Sequence, residues 1–276
     1  MKQIVVLSGK GGTGKTTVAA ALAHLASQTG PRLVLADADV DAANLGLLLD
    51  PRPRRKEPFI SGLEAQIEAE LCTACGECER LCRFDAVIPG ETYRIDPFAC
   101  EGCRVCATHC PAGAIRLEEP LCGHWYVSDT PFGILVHAEL LPGEENSGKL
   151  VTLVKSQAAE IAKRGHIEAI LVDGPPGVGC PVIAASAGAA GMLAVAEPTP
   201  AGIHDLERLL DLAAHFRVPG VGVCINKHDL HPSHTRQIEA LCADRGVPIV
   251  GRIPFDPAAV EAVIQGRPVT AADGPA

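Results

Sequence analysis

The sequence is short of aromatic residues, of positive charge and of long apolar runs. Aromatics make up 3% of its 276 residues, so the core must be built from small aliphatic side chains, which suits tightly packed α/β layers. Lys and Arg number 24 against 33 Asp and Glu, a net charge of −9. That balance argues against a general affinity for nucleic acid. The most apolar later stretch, Val182 to Ala196, is mostly Ala and Gly and is interrupted by Ser186. It falls short of the roughly 20 strongly apolar residues that a membrane span needs. From Val260 onward there is no Lys/Arg-flanked amphipathic pattern of a surface anchor. Near the N-terminus Ile4–Leu7 supplies four apolar residues, too few for a signal-peptide core. The expectation is a soluble, cytoplasmic protein with neither a membrane nor a nucleic acid as partner. With 47% hydrophobic and 21% charged residues the chain is also neither disordered nor fibrous.

Short apolar runs alternate with helical patterns along most of the chain. Strands are expected at Ile4–Ser8, Leu33–Asp37, Trp125–Ser128, Ile134–His137, Ala169–Asp173, Met192–Ala196, Val221–Ile225 and Pro248–Ile253. Helices are expected at Lys15–Gln28, Lys149–Lys163, His204–Phe216 and Ser233–Arg245. Strand–helix alternation implies a doubly wound, mostly parallel α/β sheet with right-handed crossovers. Arg52, Arg54, Arg55 and Lys56, interleaved with Pro51, Pro53 and Pro58, read as a charged, proline-stiffened connector.

The stretch after that connector breaks the rhythm. It holds eight of the twelve cysteines, and Leu71–Val87 repeats as Ala99–Ile115 at a constant offset of 28, cysteine on cysteine and Ala86 on Ala114. The expected division is a discontinuous α/β domain of residues 1–57 and 121–276, with a small duplicated α+β domain inserted at 58–120.

Gly9-Lys10-Gly11-Gly12-Thr13-Gly14-Lys15-Thr16 fits G-x-x-x-x-G-K-[ST], after a strand and at the start of a helix, the context that a phosphate loop requires. Glycines let successive backbone N–H groups turn toward phosphate oxygens at the positive end of the helix. Lys15 is expected at the β- and γ-phosphates and Thr16 on Mg²⁺. Leu33–Leu35 runs into Asp37, Asp39 and Asp41, with Asn44 close behind, and Ile170–Asp173 is an apolar strand ending in Asp. Carboxylates at strand C-termini suit Mg²⁺ or an attacking water. Gly174-Pro175-Pro176-Gly177 follows and resembles the switch segment that senses a γ-phosphate through a glycine N–H. Asn226-Lys227-His228-Asp229 ends a strand where an Asn amide can read an adenine edge. Asn-Lys-x-Asp is equally a guanine-reading pattern, so ATP is preferred and GTP stays open.

Cys72-x₂-Cys75-x₂-Cys78-x₃-Cys82 and Cys100-x₂-Cys103-x₂-Cys106-x₃-Cys110 match the two-cluster bacterial ferredoxin pattern, in which the fourth cysteine of each run serves the other cluster. One [4Fe–4S] cluster is expected on Cys72, Cys75, Cys78 and Cys110. The other is expected on Cys100, Cys103, Cys106 and Cys82. Zinc is the rival that paired C-x₂-C permits. Pro111 follows Cys110 as in ferredoxins, whereas Arg83 follows Cys82 and is expected to place a charge near a cluster. His228, His231 and His234 read as a polar loop, Cys224 and Cys242 as core residues, and Ser147 as a helix N-cap.

The arrangement resembles MinD-superfamily P-loop ATPases with an inserted ferredoxin domain, relatives of ParA and the nitrogenase iron protein. The likeness is carried by Lys10–Thr17, Asp37–Asn44, both cysteine runs, Glu145–Val151, Asp173–Val182, Glu197-Pro198-Thr199, Asn226–Leu230 and Ile253–Asp256. It implies an ATP-dependent homodimer in which Lys10 reaches the partner's nucleotide, Gly9 to Thr17 hold the phosphates, Asp39 positions the water, and Asp37 faces the metal with Thr16 and Asp173. Cys180 stands where the nitrogenase iron protein carries a cluster-ligating cysteine, and Cys122 is the weak second candidate. The expected function is ATP hydrolysis coupled to electron transfer with an unidentified redox protein. Cluster delivery and a positioning ATPase are the alternatives.

Overall fold

The structure is a computed structural model that describes residues 1–144 and 147–271. Two compact units emerge, a larger one from Met1–Glu57, His124–Leu140 and the chain from Ser147, and a smaller one from Pro58–Gly123 with the segment that begins at Leu141.

The chain opens with β1 (Lys2–Ser8), α1 (Lys15–Thr29), β2 (Leu33–Asp37), α2 (Gly46–Leu49) and β3 (Arg52–Ile60). It then forms β4 (Glu64–Ile67), α3 (Glu77–Leu81), β5 (Val87–Ile88), β6 (Arg94–Ile95), α4 (Val105–Thr108) and β7 (Ile115–Glu118). Next come β8 (Leu121–Thr130), β9 (Gly133–Leu140), α5 (Ser147–Arg164), β10 (Ala169–Pro176) and α6 (Cys180–Ser186). The last elements are β11 (Gly191–Ala196), α7 (Pro200–His215), β12 (Val221–Asn226), α8 (Pro232–Asp244), β13 (Ile249–Ile253) and α9 (Pro257–Ile264).

Nine strands form one sheet in the order β13-β12-β11-β1-β10-β2-β9-β8-β3. The seven from β13 to β9 are parallel neighbours. Their sequences are near-continuous apolar runs because helices cover both faces of such a sheet. Val5, Val6, Leu7, Val34, Leu35 and Val172 are fully buried. Burying each side chain of that size is worth about 1.5–3 kcal/mol, so this seam is the stable frame for whatever sits at its end. Among the described residues no helix is long and apolar enough to cross a membrane.

All eight expected strands and all four expected helices are present, with ends shifted by a few residues. The basic run is the main correction. Arg52–Ile60 is not a connector but β3, the outer strand of the sheet. An edge position tolerates Pro53, because a missing N–H costs nothing where no neighbour awaits it. Arg55 lies over the Trp125 ring at 4.8 Å, Lys56 over Tyr126 at 5.6 Å, and Arg54 pairs with Asp129. The histidine run is likewise not all loop. Pro232 opens α8, which takes in His234, and the His234 ring meets the Pro198 carbonyl at 3.2 Å. Ser147 is the first described residue of α5; Glu145 and Asn146 lie outside the described residues.

The smaller unit contains two two-stranded antiparallel sheets, β4 with β7 and β5 with β6, beside the short helices α3 and α4. Its repeat is visible in three dimensions. Helices α3 and α4 start 28 residues apart, after Gly76 and Arg104, which both adopt left-handed backbone (φ 77° and 69°). Ala86 and Ala114 are buried at 2% and 1%.

Candidate functional site

Register puts the charged groups of the larger unit together. Val6 pairs with Asp173 across β1 and β10, and Asp173 with Asp37 across β10 and β2. Two carboxylates therefore stand side by side at the C-terminal ends of adjacent parallel strands, with the glycine loop leaving β1 beside them. This is the crevice in which open α/β sheets bind ligands.

Gly12 and Gly14 take φ values of 80° and 90°, a region that costs other residues strain. A Cβ on Gly14 would sit 2.4 Å from the Asn226 amide nitrogen, so the loop tolerates no side chain there. Asn226 donates from Nδ2 to the Thr13 carbonyl (2.7 Å) and accepts at Oδ1 from the Lys227 N–H (3.0 Å). The Asp229 carboxylate accepts from the Phe255 N–H at 2.7 Å. Here the two expected base-reading residues are committed to the protein: Asn226 braces the phosphate loop from below, and Asp229 anchors the next loop.

Lys15 opens α1, and its ammonium lies 2.8 Å from Asp173 Oδ1, 3.7 Å from Asp39 Oδ2 and 3.4 Å from the Thr16 hydroxyl. Asp173 is 1% exposed and Asp37 wholly buried. Asp37 accepts N–H bonds from Asp39 (3.1 Å) and Leu45 (2.9 Å). Burial, and then the charge of Asp173, push the Asp37 carboxyl up to about 8. Burial also raises Asp173, against the pull of Lys15, and raises Asp39. Three carboxylates thus share one ammonium, and Asp173 Oδ2 and the Thr13 hydroxyl are buried without a hydrogen-bond partner. Buried polar atoms left unpaired cost stability. The donor set fits a hard divalent cation with phosphate oxygens. No three His, Cys, Asp or Glu among the described residues converge to cage a metal ion. Mg²⁺ needs no such cage, since it binds through one or two carboxylates together with phosphates and water.

Lys10 is held within its own chain. Its ammonium lies 2.5 Å from Glu197 Oε1 and 3.4 Å from the Thr199 hydroxyl, while Lys227 meets Glu197 Oε2 at 3.3 Å and the Gly12 carbonyl at 3.4 Å. Burial pushes Glu197 up, but the two lysines together hold its carboxyl below the usual range. Sequence reasoning assigned Glu197 no role. The only signal was the Glu-Pro-Thr triplet after a strand, and its partners lie far away in the chain. Asp205 stands against the loop from α7, since a Cβ on Gly9 would fall 2.3 Å from its Cβ.

In the smaller unit, Cys72, Cys75, Cys78 and Cys110 line one open hollow, walled by Ile67, Tyr93 and Ile115. Cys82, Cys100, Cys103 and Cys106 line a second, walled by Phe84, Val87 and Ile95. Each hollow takes three cysteines from one half of the repeat and one from the other. Three cysteines from one run and one from the other is the ligand grouping of a two-cluster ferredoxin. Burial pushes the Cys78 and Cys106 thiols up, and neighbouring thiols add to it. The Ala114 N–H donates to Cys110 Sγ at 3.3 Å. Arg104 also lines the second hollow. Cys122 is 1% exposed and donates to the Ser61 carbonyl (3.0 Å), whereas Cys180 is exposed at the start of α6.

An uncharacterized protein of Methanocaldococcus jannaschii is 35% identical over 216 residues, 78% of this chain and 75% of its own. An uncharacterized ATP-binding protein of the same organism is 24% identical over 272 residues, 96% of this chain and 79% of its own. Among solved structures, the cell division ATPase MinD of Pyrococcus furiosus superposes with a TM-score of 0.58 at 18% identity, covering 99% of this chain and 91% of that one. The sequence model of the CobQ/CobB/MinD/ParA nucleotide binding domain matches residues 4–269. With nearly its whole length matched and a phosphate loop at the switch point of a parallel sheet, the chain belongs to the CobQ/CobB/MinD/ParA family of nucleotide-binding domains.

Proposed function

We propose that the chain is an ATP-hydrolysing iron–sulfur protein that couples a nucleotide-driven homodimer switch to electron transfer through two [4Fe–4S] clusters. One observation carries the iron–sulfur half: the two complete cysteine quartets line separate hollows in a unit whose buried apolar side chains, among the described residues, are Phe59, Ala65, Ala86, Val87, Ala114 and Cys122. A unit so poor in core needs a further source of stability, and metal ligation supplies it in small domains. ATP, preferred over GTP, is supported by the ATP-binding relative and by Asp229 being occupied in its own loop.

Bound Mg²⁺ would neutralise developing charge on the phosphates. The chain's own residues do the rest. Gly9 to Thr17 orient the phosphates, and Lys15 moves from Asp173 toward them, which frees that carboxylate, with Asp37 and Thr16, for the metal. Asp39 orients the attacking water. Lys10 leaves Glu197 for the partner's nucleotide. The eight cysteines would hold the clusters, whose chemistry is single-electron transfer.

Anaerobic purification with iron and sulfide analysis, followed by an EPR-monitored redox titration with and without MgATP, tests this reading. It predicts about eight irons per chain and potentials or electron-transfer rates that respond to nucleotide. Two zinc ions, or clusters indifferent to nucleotide, would sink it.

A further inference from the structure

The strand order of the larger unit sets one carboxylate between two lysines. Strand β11 lies between β1 and β12, and its last residue, Ala196, is followed by Glu197. On one side β1 runs on into the glycine loop with Lys10; on the other, β12 runs on into Lys227. All three strands are parallel, so these residues emerge at the same edge of the sheet. Glu197 gives one carboxylate oxygen to each lysine, at 2.5 Å and 3.3 Å, and only 13% of its side chain is exposed. Its backbone is pinned. The Glu197 carbonyl accepts from the Thr199 N–H at 2.8 Å, and the Thr199 hydroxyl caps α7 by accepting from the Gly202 N–H at 3.0 Å. A Cβ on Gly202 would run into the Glu197 carbonyl oxygen, so the first turn of α7 closes directly onto this residue.

The two flanks of the phosphate loop carry opposite imbalances. On the Lys15 side several carboxylates share one ammonium; on this side two ammoniums share one carboxylate. Both lysines stand where a phosphate would also attract them. Lys10 is a residue of the loop, and the Lys227 ammonium reaches the Gly12 carbonyl at 3.4 Å. Lys227 is placed there under strain, in left-handed backbone (φ 56°) with its N–H bonded to Asn226 Oδ1; strain at a residue with a side chain marks a functional constraint. Carboxylate and phosphate oxygens are equivalent partners for an ammonium. A lysine carries that charge on a flexible stem and can pass from one to the other, whereas Glu197 stays where α7 holds it.

We propose that Glu197 is a built-in counter-anion of the phosphate loop, which competes with nucleotide phosphate for Lys10 and Lys227 and so sets how tightly nucleotide is held. The proposal rests on the nucleotide-switch reading above and names the residue that regulates that site. A bracing role makes the opposite prediction. Ion pairs that only stiffened the loop would, once lost, loosen the phosphate cradle and weaken binding. A competing carboxylate, once lost, leaves the nucleotide-free chain less stable and the nucleotide more tightly bound.

Calorimetry with MgADP and with a non-hydrolysable MgATP analogue, on the full chain and on Glu197→Gln, separates the two. Gln keeps the size of the side chain and removes only its charge. The dissociation constants of the variant are expected to fall about threefold to tenfold, the scale of one or two ion pairs partly screened by solvent. Its nucleotide-free thermal midpoint drops at the same time. Unchanged or weaker affinity overturns the proposal. Salt supplies a second arm. In the unaltered chain phosphate replaces a carboxylate at the same lysines, so charge pairs are exchanged. In Glu197→Gln they are newly formed, and raising the salt from about 0.05 M to about 0.5 M screens them. The advantage of the variant therefore shrinks with salt, and an advantage that salt does not touch also overturns the proposal. Neither measurement uses iron or turnover, so clusters indifferent to nucleotide would sink the function proposed above and not this role of Glu197.

Discussion

The two units of this chain solve opposite problems. In the larger, a thick apolar sheet supplies the stability and can hold three carboxylates and a lysine at its edge under electrostatic stress. In the smaller, few side chains are buried among the described residues, and under the function proposed above eight cysteines would organise the fold through the clusters they hold. The contrast teaches that a site can be an expense met by a fold, or the reason there is a fold at all.

Substitutions can break that contrast. The largest effect is expected from Lys15→Met, which removes the phosphate-loop ammonium. ATP turnover falls at least about 10³-fold, the scale of losing a charge that stabilises phosphoryl transfer, while iron content stays unchanged. Loss of iron as well would mean that the two units do not fold independently. Next comes Cys78→Ser. One cluster is lost, limited proteolysis opens the smaller unit within 58–123, and nucleotide affinity measured by calorimetry holds. Leu209→Ala does the converse. Leu209 is wholly buried in α7, and the cavity costs about 2–5 kcal/mol, read as a lower thermal midpoint of the larger unit with the EPR signal of the clusters intact.

The smallest effect is graded by pH. Asp37 keeps its proton up to about 8 in the folded chain against 3.8 as a free side chain. Between those values the native state holds a proton that the unfolded state has lost, so this group makes stability fall as pH rises, by at most about 1.4 kcal/mol per pH unit. Thermal midpoints of the ligand-free chain should decline from pH 5 to 8, and Asp37→Asn should flatten the decline. A midpoint that climbs over that range would refute the stressed-carboxylate account.

How far the sequence revealed these features depends on how local they are. The phosphate loop is eight consecutive residues with a fixed geometric demand, and the central strands announce themselves as apolar runs because both faces are covered. The cysteine repeat is visible as a spacing, and the quartets grouped by that spacing are the ones that border the two hollows. Other features depend on distant partners. Asn226 reads as a base-binding amide until it meets Thr13, 213 residues away. Glu197 gathers lysines from two other loops. Strand β3 was hidden for a different reason: prolines and arginines suit an exposed edge as well as a connector, and only pairing with β8 distinguishes them.

That pairing has an architectural consequence. The chain departs along β3 and returns along β8, and neighbouring strands lie about 4.8 Å apart. The excursion between them therefore starts and finishes at nearly the same point, so its closure cost grows only logarithmically with its length. A cysteine-bearing module can be enlarged, exchanged or cut back to a short hairpin there without moving either anchor, and the nucleotide-binding sheet would remain continuous.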